Sequence, residues 1–150
     1  MNTFRALLAD LDAGNTQDRD AAAEQLSDLL RGRTLTQHEA ETAVARLLTA
    51  AVEDPDHAVR ESALNAIGNA FELRDLPLHL VAGLAPHLPT MTAPLLAHAL
   101  GILGATRDPD AHPMIEPYQH HSVDYVREAA IMALAELPDR DTSAATDHNS

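Results

Sequence analysis

A nine-residue phrase occurs twice in this chain in closely similar form. One copy opens with Val59-Arg60-Glu61 and the other with Val126-Arg127-Glu128. With Arg127 laid on Arg60, a shift of 67 residues, Ala63 falls on Ala130, Leu64 on Ile131, Ala66 on Ala133 and Ile67 on Leu134. That shift is about two units long, and a weaker copy lies between them. At a shift of 33, Ala99, Leu100 and Gly101 sit on Ala66, Ile67 and Gly68, with Ala93 where the arginine belongs. A fourth copy lies upstream at a shift of 41, where Arg19 matches Arg60, Ala22 matches Ala63 and Leu26 matches Ile67. Self-similarity at a period in the thirties to forties marks stacked supersecondary units that bury a continuous core only together.

Each copy reads as a helix. Ala63, Ile67 and Ala70 recur at the spacing of one helical face, with Val59 one turn earlier. The preceding Asp54-Pro55-Asp56 is a turn that offers an N-cap, and its acids suit the positive end of the helix dipole. Partner helices are expected between the copies. Residues 38–54 carry Ala40, Val44, Leu47, Leu48 and Ala51, while residues 77–88 and 111–121 are shorter and hold internal prolines. A first helix over roughly 3–13 completes eight helices in four hairpins. The apolar residues, 45% of the chain, are mainly Ala and Leu, and aromatics are only 3%. That mixture suits closely packed helices and disfavours sheets. The expectation is one all-α domain over 1–138, with units near 1–33, 36–73, 75–106 and 109–138. A polar tail, 139–150, is expected to be frayed.

The stretches "DPDHAVRESALNAIGNA" and "SVDYVREAAIMALAEL", with the junction "ALGILGATRDPD", resemble HEAT repeats of the bacterial, phycobilisome-lyase-like type. The resemblance covers about residues 15–138. It implies an α-solenoid of antiparallel hairpins stacked in a right-handed superhelix, with the second helices lining a concave face. In this reading Arg60 and Arg127 are structural, bridging acids at neighbouring turns such as Asp56 or Asp124.

Charge is the other constraint. There are 23 acids and 10 bases, all of them Arg, for a net charge of −13. Such a chain is repelled by nucleic-acid backbones and anionic lipid. Its acidity serves solubility or a basic partner, and composition alone does not choose between them. No cysteine is present to build a disulfide framework. The first residues lack the basic and apolar regions of a signal peptide, and no apolar run approaches a membrane span. A cytoplasmic protein, monomeric when free, is the expectation.

No catalytic constellation with specific spacing occurs. The six glycines are scattered, and neither G-x-S-x-G nor H-E-x-x-H is present. His112, Glu116 and His120 would share a helical face, with His121 beside them, but Pro113 and Pro117 interrupt the segment. No metal site and no cofactor is therefore assigned.

The acids have a definite placement. At roughly 100° per residue, Glu61, Asn65 and Glu72 lie opposite Ala63. The matched positions in the other units bring Asp20, Glu24, Ser27, Arg31, His98 and Glu128 to the same stripe, flanked by Asp28, Asn69 and Glu136. The stripe reads either as a solvated helix face or as a partner-binding groove. The function expected from the second reading is a non-enzymatic module that binds a basic protein. Its most concrete form is an immunity protein that neutralises a basic, nuclease-type toxin. A general scaffold within a larger complex is the alternative. A HEAT-fold enzyme, glycosylase-like or bilin-lyase-like, ranks last.

Overall fold

The computed structural model describes residues 3–139, and those residues are helical with no strand among them. The α-helices are α1 (Thr3–Asp10), α2 (Thr16–Arg31), α3 (Gln37–Glu53), α4 (His57–Leu73), α5 (Ala93–Ala105), α6 (His112–Ile115) and α7 (Asp124–Glu136). Their starts follow local sequence chemistry. The Asn15 side chain accepts from the Asp18 N–H at 2.8 Å and begins α2. Thr36 and Glu39 form a reciprocal capping box on α3. Asp56 accepts from the Ala58 N–H at 2.8 Å and begins α4. Pro94 in the first turn of α5 sets the backbone angle where no intrahelical donor is needed.

One expected helix takes another form. Residues 77–88 were read as the partner of α5, and the chain there adopts 3-10 turns over Leu78–Leu80 and Ala82–Thr90. Pro86 and Pro89 remove two donors that an α-helix requires, so the tighter turn wins. The prolines at 113 and 117 act similarly. Only α6 is α-helical there, flanked by 3-10 turns at Pro109–Ala111 and Glu116–His120. The first helix also stops sooner than expected, at Asp10. The expected tail lies, from residue 140 onward, outside the described residues.

The packing order repeats. Helix α2 lies along α4, α4 along α5, and α5 along α7. Beside this row α1 packs on α2, α3 packs on α4, the 3-10 segment Ala82–Thr90 packs on α3 and α5, and α6 touches α5 and α7. The core between them is built from small and aliphatic side chains. Ala22, Ala63, Ala66, Ala99, Ala130 and Ala133 are buried together with Leu26, Leu64, Leu100 and Leu103. Each fully buried leucine contributes about 1.5–3 kcal/mol. The alanines let neighbouring helices approach closely, which is why so few aromatics are needed.

Candidate functional site

The repeat arginines share one geometry. Arg19 donates from Nη1 to the Ala13 carbonyl at 3.0 Å, Arg60 to the Asp54 carbonyl at 3.3 Å, and Arg127 to the His121 carbonyl at 2.7 Å. In each case the acceptor lies six residues upstream, so the guanidinium closes the turn that feeds the second helix. In the third unit Ala93 occupies this position. The corresponding carbonyl, that of His87, accepts instead from the Thr90 hydroxyl at 3.0 Å. Arg127 also pairs with Asp124. Arg60 departs from expectation: its recorded bond goes to the Asp54 main chain, not to the Asp56 carboxylate, which is occupied as the cap of α4. The buried pair is Arg19 with Asp54, at 2.8 Å. The repeat alignment placed Arg19 correctly but gave no sign that its acid comes from the following hairpin.

The acidic stripe divides into four groups. Glu24 of α2, Glu61 and Asn65 of α4, and His98 of α5 line one depression together with Ser62. Glu72 and Glu136 line a second, between the far ends of α4 and α7, with Gly68, Phe71 and Arg107. Asp28 and Glu128 are exposed but line neither depression. Asp20 and Asn69 are half-buried and engaged between helices. Ser62 donates to the Asp20 carboxylate, and Asn69 donates to the Ser27 hydroxyl at 2.6 Å. These two residues therefore hold α2 against α4, and Ser27, placed on the stripe by angle, is buried. Arg107 was not anticipated. It sits at φ 55, a left-handed conformation in the turn after α5, and places a cation beside Glu72 and Glu136. The turn sequence Thr106-Arg107-Asp108-Pro109 carried that signal.

His98 has a displaced titration. Its ring lies over Gly68, where an added Cβ would come 3.2 Å from Nε2. Burial lowers its pKa below the ordinary 6.5, against a smaller upward pull from Glu61. With the folded value depressed, the unfolded chain binds the proton first as pH falls. Stability from this group is therefore fully present above 6.5 and is lost as pH drops through the folded value. Urea unfolding should show wild type losing more stability than His98→Gln between about pH 7.5 and pH 5. Equal losses would remove His98 as the cause.

His112 Nδ1 lies 3.3 Å from Glu116 Oε2. The change to 3-10 geometry at Glu116 turns His120 off that line. Among the described residues no group of three His, Cys, Asp or Glu is placed to hold a metal ion.

No protein-family model matches the chain, and no curated protein matches it in sequence. Among solved structures, the crystal structure of an engineered protein from a structural genomics consortium is similar, with a TM-score of 0.65. The match covers 98% of this chain and 68% of that one at 19% identity. The likeness is one of fold. Among the described residues no helix is long and apolar enough to cross a membrane.

Proposed function

We propose that the chain is a protein-binding module, an α-solenoid of four HEAT-like hairpins in a right-handed superhelix. Its second helices form a concave acidic face for a cationic protein surface. The most concrete form of this reading is an immunity protein that covers the basic active site of a nuclease-type toxin. One observation carries it: Glu24, Glu61, Asn65 and His98, far apart in sequence, line a single depression contributed by three successive second helices. The distribution of cations supports it. Arg19, Arg46, Arg60, Arg74 and Arg127 are all committed to hydrogen bonds with main-chain carbonyls, while Glu24, Glu61, Glu72 and Glu136 are exposed. Exposed carboxylates gathered in a depression steer and hold a cationic guest.

The test uses a nona-arginine peptide as the cationic probe, titrated at low salt by calorimetry. Reversing Glu24, Glu61, Glu72 and Glu136 to Lys should weaken binding by at least about fourfold, since each exposed ion pair contributes about 0.2–1 kcal/mol. The control reverses Asp10, Glu41, Glu53 and Glu116, which lie off the ridge but give the same net charge. If the control weakens binding equally, net charge alone is responsible and the ridge is not an interface.

A further inference from the structure

The second helices of successive units meet through matched rows of side chains. Asp20 and Ser27 of α2 meet Ser62 and Asn69 of α4. Ala66 lies between Ser62 and Asn69 on the same helical face and is buried. The repeat shift of 67 carries this rear row to Ala129, Ala133 and Glu136 of α7. There Ala133 lies so close to α5 that a Cβ on Gly104 would come within 2.7 Å of it. The forward row carries over in the same way. Asp20, Ala23 and Ser27 of α2 match Glu61, Leu64 and Gly68 of α4, and these match Glu128, Ile131 and Ala135 of α7. Gly68 faces the following unit, since a Cβ added there would meet the His98 ring of α5. The forward rows of α2 and α4 are thus met by the next second helix, and among the described residues that of α7 is not. Ala23 and Leu64 are 0% exposed, whereas Ile131 is 55% exposed. Tyr125 and Met132 are exposed on the same side of α7 and extend the surface over about three turns.

We infer that this forward face of α7, formed by Tyr125, Glu128, Ile131, Met132 and Ala135, docks one amphipathic helix of a partner protein and so lengthens the row. The end units of repeat arrays ordinarily turn a polar face outward, and an exposed apolar one marks an interaction site. The first unit follows that rule. The rear row of α2 is Ala21, Gln25 and Asp28, all exposed. The internal contacts set the chemistry of the docked helix. It carries small side chains at i, i+4 and i+7, as the rear rows of α4 and α7 do in part, because these let the backbones approach closely. Opposite Glu128 it carries a hydroxyl or a cation, as Ser62 stands opposite Asp20. A second copy of this chain does not match. Its α2 offers Gln25 where Ala66 stands and a carboxylate where Asn69 stands, and its α7 sets bulky residues against bulky residues. Each copy also carries a net charge of −13. Residues 140–150 contain no apolar side chain larger than alanine, so they lack the means to cover the face. The face shares no lining residue with the depressions of the acidic ridge, and the inference does not rest on that ridge.

The probe is a helix-stabilised synthetic peptide of residues 57–73, which carries the Ser62-Ala66-Asn69 row. It sets Glu61 and Glu72 against Arg60, so the acidic ridge does not attract it. The full chain, labelled with ¹⁵N, is titrated with this peptide, and saturable amide shifts centred on residues 128–135 are expected. Ile131→Asp and Met132→Glu change exposed side chains and should keep a melting temperature close to wild type. Each should weaken binding by at least about tenfold, because it puts a carboxylate into an apolar contact. A peptide carrying Ala66→Glu should bind more weakly by at least about the same factor, since the larger side chain holds the backbones apart. In sedimentation velocity the free chain should run as a monomer. A dimer that Ile131→Asp dissociates would give the face to self-association and overturn the assignment. Shifts confined to α2 and α5, where the peptide would be displacing α4, would overturn it as well. So would the absence of any saturable shift on α7, or binding that Ile131→Asp and Met132→Glu leave unchanged.

Discussion

Gly104→Ala should lower the melting temperature, although alanine is the better helix former. A Cβ built on Gly104 would lie 2.7 Å from both Cα and Cβ of Ala133 and 2.9 Å from its carbonyl oxygen. This is where α5 meets α7, and backbone cannot step aside as a flexible side chain can. The helix-propensity gain of alanine over glycine is about 1 kcal/mol. Overpacking a tight contact costs about 1–3 kcal/mol, and a clash with main chain belongs at the upper end. The net expectation is a loss of about 1–2 kcal/mol, or roughly 2–8 °C at this chain length. Gly104→Val, with two further carbons at the same point, should detach α7 altogether. Two other glycines serve as internal controls. At Gly101 an added Cβ meets nothing within 4 Å, so Gly101→Ala should stabilise by about 0.5–1 kcal/mol. At Gly68 the nearest atom is the end of the His98 ring, which can rotate, so Gly68→Ala should be close to neutral. If all three substitutions move the melting temperature in the same direction, close helix approach is not what position 104 provides.

This contact shows what the sequence made legible. The repeated small residues announced tightly packed second helices, and Ala63, Ala66, Ala130 and Ala133 are buried as the helical period requires. Angle alone also placed Glu24, Glu61, Asn65 and His98 on a common side, since a fixed turn per residue carries over to every unit. What angle does not carry is the lateral register between helices. Asp20 and Asn69 fall on the same stripe, yet the register of α2 against α4 brings Ser62 onto Asp20 and Ser27 onto Asn69. The 3-10 form of the third unit was hidden for another reason. Its prolines signalled an irregular segment, although Leu80, Leu84 and Leu88 recur at helical spacing. Backbone donors decided the outcome. The sequence marks Asp54 only as part of a turn that offers an N-cap, and the approach of α2 shows why an acid is needed there.

Asp54→Ala should be among the most damaging single polar substitutions in the chain. Its side chain is 5% exposed and that of Arg19 is 13% exposed. Three donors converge on the carboxylate. Arg19 supplies Nε at 2.8 Å and Nη2 at 3.4 Å, and the Asp56 N–H donates at 2.9 Å. Removing the acid leaves a buried guanidinium without its counter-charge and releases the turn that positions Asp56 as the cap of α4. Breaking one partner of a buried pair costs about 3–5 kcal/mol, a large share of the 5–15 kcal/mol that holds a typical domain together. The exposed pair between Arg46 and Asp12 provides the contrast. Asp12 is 75% exposed, so Asp12→Ala should cost no more than about 1 kcal/mol. The cost at Asp54 arises from the stranded arginine rather than from the strength of the pair. Replacing both partners with apolar residues, Arg19→Met and Asp54→Leu, should therefore recover much of the loss in urea unfolding. A double variant as unstable as the sum of its singles would place the damage in the turn instead. An Asp54→Ala protein no weaker than Asp12→Ala would show that this ion pair does not hold the first two hairpins together.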